Sequence, residues 1–244
     1  YGREKPAAET ASAAQQAAPP PAPEKRLIGF DWDCTLTVRH FYKVFAWGYA
    51  SRNSGAHAHC QDFEQCCKKR GAPTAMVGRV GDEDPMSEAV EDFCKHAGEE
   101  AFREVFREVF LGGEERILLV AEWLKKMQDQ GVVFAIVTAG ISAVVLRALT
   151  AVPEWLPFFN SSRIWDTSQS RHTVNSVAGS KALILRDICP EAKRILLVDD
   201  SLCRDAPPPW VLRGASVETM MDLPYEGPGL TEDLLKTLEE AVMR

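Results

Sequence analysis

Three short apolar runs punctuate the chain, Leu27 to Phe30, Val132 to Val137 and Ile195 to Val198. Each is apolar at both alternating positions and each ends in a polar residue: Asp31, Thr138 and Asp199. Runs of this length, apolar on both faces, predict strands of a parallel sheet covered by helices. Helical periodicity lies between and after them. Glu114 to Gln130 repeats Leu118, Ala121, Leu124 and Met127 and stops at Gly131. Ile141 to Leu149 follows Gly140, Lys181 to Ile188 precedes Pro190, and Thr231 to Met243 carries Leu234, Leu235, Leu238 and Val242 behind a Thr231 cap. Alternating strands and helices predict an α/β fold: a parallel sheet core with helices on both faces.

Residues 40 to 113 break this rhythm. They hold no convincing strand, and their clearest element is Glu99 to Leu111, where Phe102, Phe106 and Phe110 recur every four residues until Gly112 and Gly113. This predicts a mostly helical insertion after the first strand. The expected organisation is an Ala/Pro-rich disordered tail at 1–25, a core at 26–39 and 114–244, and a helical cap at 40–113. Pro207, Pro208 and Pro209 forbid a regular helix there, and a further strand is expected near Ala215 to Glu218.

Composition narrows the classes. A chain of 244 residues with 45% hydrophobic and 26% charged residues buries a core without disulfide staples. Net charge is 28 − 35 = −7 with no basic block, which argues against a nucleic-acid partner. No apolar run approaches the roughly 20 residues of a membrane span. Seven cysteines, an odd number, read as free thiols in a reducing compartment, hence a cytoplasmic expectation. The chain opens on Tyr1 rather than Met, as a fragment or processed form does. Oligomeric state leaves no mark in the sequence.

The polar strand ends carry the chemistry. Ligands of parallel α/β sheets bind outside the carboxyl ends of the strands, so three polar termini can converge. Asp31 and Asp33 stand two apart where the chain leaves the sheet. One carboxylate can attack phosphorus while the other protonates the leaving oxygen and then activates water. Close carboxylates repel, so a divalent cation is expected, and Asp199, Asp200 and Asp205 add oxygen ligands of the kind that favour Mg²⁺.

In these features the chain resembles the haloacid dehalogenase (HAD) superfamily in its phosphatase branch. The family's first motif, Asp-x-Asp-x-Thr, matches Asp31, Asp33 and Thr35; its second, a hydrophobic strand ending in Ser or Thr, matches Thr138. Its third, a basic residue, best matches Lys181, with Arg171 and Arg186 as competitors, and its fourth matches Asp199, Asp200 and Asp205. The resemblance implies a Rossmann-like sheet with a helical cap between the first two motifs. It implies that Asp31 is the nucleophile and Asp33 the general acid/base. Thr138, Lys181, Thr35 and the backbone at Ala139 and Gly140 would hold the phosphate. Asp31, the Asp33 carbonyl, Asp199, Asp200 and Asp205 would hold Mg²⁺ directly or through water. A cap between these motifs implies a small phosphorylated substrate. Two other functions stay open: a phosphotransferase or mutase of the same family, and a catalytically weak scaffold that binds protein.

Some residues invite competing readings. His57, His59, Cys60, Cys66 and Cys67 suggest zinc, but the paired ligand spacing of a structural site is missing, so they read as ordinary residues of the insertion. Cys34 reads as packing. Trp32 is expected to point away from its acidic neighbours and to pack against the sheet or the insertion.

Overall fold

The computed structural model describes residues 25–51, 58–77, 85–169, 177–202, 217–222 and 227–243. Residues 1–24 of the expected tail, Asp205, Arg171, His57 and the Pro207–Pro209 run lie outside the described residues. Five strands form one sheet: β1 Arg26–Phe30, β2 Val132–Thr138, β3 Ile164–Asp166, β4 Arg194–Asp199 and β5 Val217–Asp222. Their order is β3-β2-β1-β4-β5 and every pairing is parallel. The three apolar runs are the three central strands. β3, only three residues long, was not expected, and β5 begins at Val217, inside the expected stretch, and runs on to Asp222.

Strand alternation sorts the sheet residues onto two faces. Leu27, Ala135, Val137, Ile195 and Leu197 face helix Val177–Ile188 and pack with its Leu183, Ile184 and Leu185. Ile28, Phe30, Phe134, Ile136, Leu196 and Val198 face the other way. There they meet helices Glu114–Asp129, Ser142–Leu149 and Glu232–Met243, the last capped by Thr231 Oγ1, which accepts from Leu234 N at 3.4 Å. Both faces are therefore covered, as the apolar runs require.

Between β1 and β2 the described residues of the insertion are helical: α1 Lys43–Tyr49, α2 Ala58–Arg70, α3 Pro85–Ala97, and α4 Glu99–Val105 running on into Phe106–Phe110. The core helices then follow as α5 Glu114–Asp129, α6 Ser142–Leu149, α7 Val177–Ile188 and α8 Glu232–Met243. The phenylalanine stripe of α4 is fully buried. Phe41, Phe45, Phe63, Phe93, Phe102, Phe106 and Phe110 interlock at centroid distances of 4.8 to 6.4 Å, half of the pairs edge to face and the rest stacked or tilted. Trp32, next to Asp31, stacks on Phe106 at 6.1 Å, so the aromatic cluster is continuous with the apolar layer beneath the sheet. Cys60, Cys66 and Cys67 are buried thiols of this same layer. Burial pushes the Cys67 thiol up to about 12, as suits a packing residue.

One glycine sets the distance between sheet and helix. Gly29 sits on the face toward α7, and a Cβ there would lie 2.3 Å from Leu185 Cδ1 and Cδ2. The missing side chain lets α7 lie close on the sheet.

Candidate functional site

The strand order reverses at β1, with β2 and β4 on either side. In open α/β sheets this switch point, at the carboxyl ends of the strands, is where ligands bind. Register places the chemistry there. Phe30 pairs with Val198, and Asp31 N–H extends that ladder to the Val198 carbonyl at 2.9 Å, so Asp31 emerges beside Asp199. By alternation Asp31 continues the Leu27–Gly29 face and Asp199 the Ile195–Leu197 face, both toward α7.

Lys181 rises from α7 between them. Its Nζ lies 2.7 Å from Asp31 Oδ1 and 2.6 Å from Asp199 Oδ2. The helix begins at Val177, a turn earlier than the apolar pattern suggested, so Lys181 stands in its second turn and not at its mouth. Leu185, one turn on, is the residue that fits over Gly29. All three charged groups are buried: Asp31 6% exposed, Lys181 2% and Asp199 0%. Arg186 pairs with Asp187 at 3.8 Å, well out in solvent. Of the two described candidates for the site cation, Lys181 is the one among the acids.

Asp200 completes the group. One carboxylate oxygen each from Asp31, Asp199 and Asp200 lies within 4.8 Å of the others, the one such cluster among the described residues. With all three buried carboxylates ionised, one ammonium leaves −3 + 1 = −2. Burial raises the Asp31 carboxyl to about 8; Lys181 opposes the rise and the Asp199 charge adds to it. Burial also works to lower Lys181, but Asp31 and Asp199 overcome it and hold the ammonium well above its ordinary value. The two shifts are compatible. One lysine shared by two carboxylates is fully ionised, while the carboxylates are only half compensated.

The residual charge fits a divalent cation, and the donors are oxygen only, the set Mg²⁺ takes. The residues differ in how available they are. Asp199 Oδ1 already accepts from Ser201 N at 2.8 Å and Ser201 Oγ at 2.5 Å, and its Oδ2 from Lys181. Asp199 is thus engaged in holding Lys181 and the turn after β4.

Residues 32–36 form one wide turn closed by Thr37 N–H to the Trp32 carbonyl at 3.0 Å. Cys34 within it has φ = 57°, the one left-handed non-glycine among the described residues, and its N–H is caught by Thr37 Oγ1 at 3.0 Å. Asp33 turns toward the start of α1. Its Oδ1 accepts from Phe41 N at 2.6 Å and Tyr42 N at 3.2 Å, with His40 Nδ1 3.3 Å away. Burial disfavours charge on His40, but Asp33 outweighs it and raises the imidazole. The Thr35 hydroxyl is fully buried and has no hydrogen-bond partner. A buried orphan hydroxyl is costly unless something binds to it.

At the end of β2, Thr138 is buried and its Oγ1 accepts from Gly140 N at 2.9 Å. That bond uses a lone pair and leaves the hydroxyl proton to be donated elsewhere. Gly140 therefore acts by orienting Thr138, and its N–H is already spent; Ala139 stands exposed at the turn. Sequence reasoning missed Asp166, which ends β3. Its Oδ2 accepts from Ser142 N at 3.1 Å at the start of α6, and its Oδ1 from Ser168 N at 3.1 Å. Asp166 thus pins the turn that carries Thr138. Ile164-Trp165-Asp166 repeats the pattern of an apolar run ending in an acid, but three residues are too few to read as a strand.

No family model matches the chain, and no curated protein matches it. Solved structures do align over most of its length. A putative β-phosphoglucomutase from Thermotoga maritima is 14% identical, with 88% of this chain and 99% of that one covered, at a TM-score of 0.38. A predicted phosphoglycolate phosphatase from Haemophilus somnus 129PT is 19% identical (88% and 97% covered, TM-score 0.40). The HAD domain of an effector protein from Legionella pneumophila, in an inactive mutant, is 13% identical (91% and 94% covered, TM-score 0.43). At these values the likeness says nothing about what this chain acts on.

Proposed function

We propose that the chain is a HAD-type phosphatase, hydrolysing a phosphate monoester of a small molecule through an aspartyl-phosphate on Asp31. The observation that carries this reading is the meeting of Asp31, Asp199, Asp200 and Lys181 at the switch point of the sheet, in a buried cluster short of positive charge. Asp31, the Asp33 carbonyl and Asp200 would hold Mg²⁺, with Asp199 behind them and Asp205 a further candidate. When bound, the ion supplies charge neutralisation to Asp31 and to the phosphoryl oxygens.

The chain's own residues account for the remaining steps. Lys181 stays protonated and screens the approach of a phosphate dianion to a buried carboxylate. The Thr138 hydroxyl, oriented by Gly140 N–H, donates to a phosphoryl oxygen, and the orphan Thr35 hydroxyl offers a second donor. An Asp31 carboxylate oxygen attacks phosphorus and the P–O bond to the leaving group breaks. Asp33, protonated, gives its proton to the departing oxygen. Asp33 then takes a proton from water, whose oxygen attacks the phosphorus of the acyl phosphate. Inorganic phosphate leaves and Asp31 is regenerated. The helical insertion, entered a few residues after Asp33, serves as the cap that shields these steps from bulk water. The thiols of the six described cysteines fit a reducing compartment such as the cytoplasm.

The test is phosphate release from an aryl phosphate and a panel of sugar phosphates, nucleotides and phosphoamino acids, with Mg²⁺ and with chelator. Turnover is expected with Mg²⁺ alone, and Asp31→Asn is expected to abolish it. Wild-type turnover that survives Asp31→Asn removes the nucleophile assignment.

A further inference from the structure

Arg116 stands in the first turn of α5, half-buried, and no carboxylate among the described residues pairs with it. Its guanidinium bonds to backbone carbonyls alone: Nε to Leu230 at 3.1 Å, Nη1 to Leu111 at 3.0 Å, and Nη2 to Leu36 at 2.9 Å and Thr35 at 3.5 Å. Partial burial lowers it to about 10, and among the described residues no counter-charge opposes the shift. A cation held there without a paired acid costs stability, since an apolar side chain of similar size fills such a site more cheaply. What the guanidinium adds is a flat fork whose donors leave in several fixed directions.

Those directions reach three pieces of chain far apart in sequence. Thr35 and Leu36 belong to the turn that carries Asp31 and Asp33 and lead out into the insertion. Leu111 is where the insertion returns, followed by Gly112 and Gly113 at φ = 76° and 89°. The outgoing and returning strands are themselves tied by Val38 N–H to the Phe110 carbonyl at 2.7 Å. Leu230 belongs to the segment before α8, and its N–H donates to the Thr35 carbonyl at 3.0 Å. The neighbouring Gly229, at φ = 67°, passes so close that a Cβ would lie 2.6 Å from the Thr35 and Thr37 carbonyl oxygens and 2.9 Å from Arg116 Nη2. The back of the reactive turn is therefore gripped by Arg116 and by the Gly229–Leu230 strap together.

We infer that Arg116 is a positioning residue: with Gly229–Leu230 it fixes the rear of the Asp31–Thr37 turn and both crossings into the insertion, and so sets where Asp33 stands relative to Asp31. The inference deepens the phosphatase reading and rests on it for its kinetic arm. Misplacing a reacting group by about 1 Å costs on the order of a hundredfold in rate. Arg116→Lys keeps the charge but gathers its donors at one point, which cannot serve three segments.

The experiment compares the full chain with Arg116→Lys and with Gly229→Ala, which displaces the strap while keeping the guanidinium itself. Two readouts are taken on protein shown to be folded by circular dichroism. For kinetics, kcat on the best ester is expected to fall at least about tenfold in both variants while KM stays within about threefold. For hydrogen exchange, peptides spanning 31–38 are expected to lose protection while those spanning 132–138 keep it. A lowered melting temperature with unchanged kcat overturns the inference, and so does unchanged exchange at 31–38 in the variant that folds. If the wild type turns over no ester, the phosphatase reading fails by itself, and the exchange result still decides whether Arg116 holds the turn.

Discussion

Replacing Lys181 with methionine isolates the electrostatics of the pocket. The side chains are of similar length, Lys181 is 2% exposed, and the substitution removes the one ammonium lying 2.7 and 2.6 Å from Asp31 and Asp199. Removing one partner of a buried ion pair typically costs about 3–5 kcal/mol. The pocket also sets a ceiling. A buried carboxylate that loses its cation can take up a proton, at about 1.4 kcal/mol for each pH unit above its ordinary value near 4. That route limits the penalty to about 5–6 kcal/mol at pH 8 and to about 2 kcal/mol at pH 5.5. Asp31 is already pushed up to about 8, so at pH 8 it takes up a proton at little added cost. The expected result in chelator is a loss of about 3–5 kcal/mol at pH 8 that shrinks by roughly 1–3 kcal/mol at pH 5.5. Urea unfolding followed by circular dichroism at both pH values measures it, with the slope checked for two-state behaviour. A loss below about 1 kcal/mol at pH 8, or one that does not shrink on acidification, would refute the account of one lysine serving two carboxylates.

Three further outcomes are expected. Gly29→Ala should destabilise by about 1–3 kcal/mol, because its methyl meets Leu185 at 2.3 Å, and adding Leu185→Ala should recover part of that loss; strictly additive losses in the double-mutant cycle would show that α7 is not seated on Gly29. In the metal-free protein Asp31 has a raised pKa, so its contribution to stability is fully present below about 4 and is lost as the pH rises through about 8. Mg²⁺ binding should accordingly release protons below pH 8 and tighten as the pH rises, which calorimetry in buffers of different ionisation enthalpy reads directly. The third concerns Arg107 on α4, which bonds Glu154 through both oxygens at 2.8 and 2.9 Å and holds that carboxyl below its usual range. A lowered acid stabilises above its unfolded pKa, so stability from this link is lost as the pH falls below about 4.3, and Arg107→Met should flatten the acid side of a melting-temperature profile.

The acids were legible because the sheet geometry that gathers them leaves a simple trace. A short run apolar at every position, ending in Asp or Thr, encodes both a buried parallel strand and the polar group at its carboxyl end. Lys181 was harder. Its charge looks like any solvated lysine of a helix, and only the fold shows that the α7 face bearing Leu185 also turns Lys181 inward. Arg116 gave no signal at all, since an arginine in a helix's first turn usually faces water and its carbonyl partners have no side-chain identity to read. Asp166 was hidden by the brevity of β3. The continuity of the Phe102–Phe106–Phe110 stripe with Trp32 was half visible: the periodicity named the buried face, but not that the residue between two reactive acids would be its partner.

The sheet order also bears on how the molecule is made. β1 is synthesised before the other strands yet ends in the middle, and both its neighbours, β2 and β4, come from far down the chain. As the polypeptide emerges, Leu27 to Phe30 has no partner until residue 132 and beyond has followed, and its second edge waits until residue 194. Pairing over such separations is slow, and an apolar strand with two open edges is what invites association with other chains in the interval. The helices between β1 and β2 emerge first, and their aromatic cluster, which includes Trp32 and Phe41, can gather next to the waiting strand. Shortening or polarising that cluster should therefore lower the yield of newly made protein more than it lowers the stability of protein already folded.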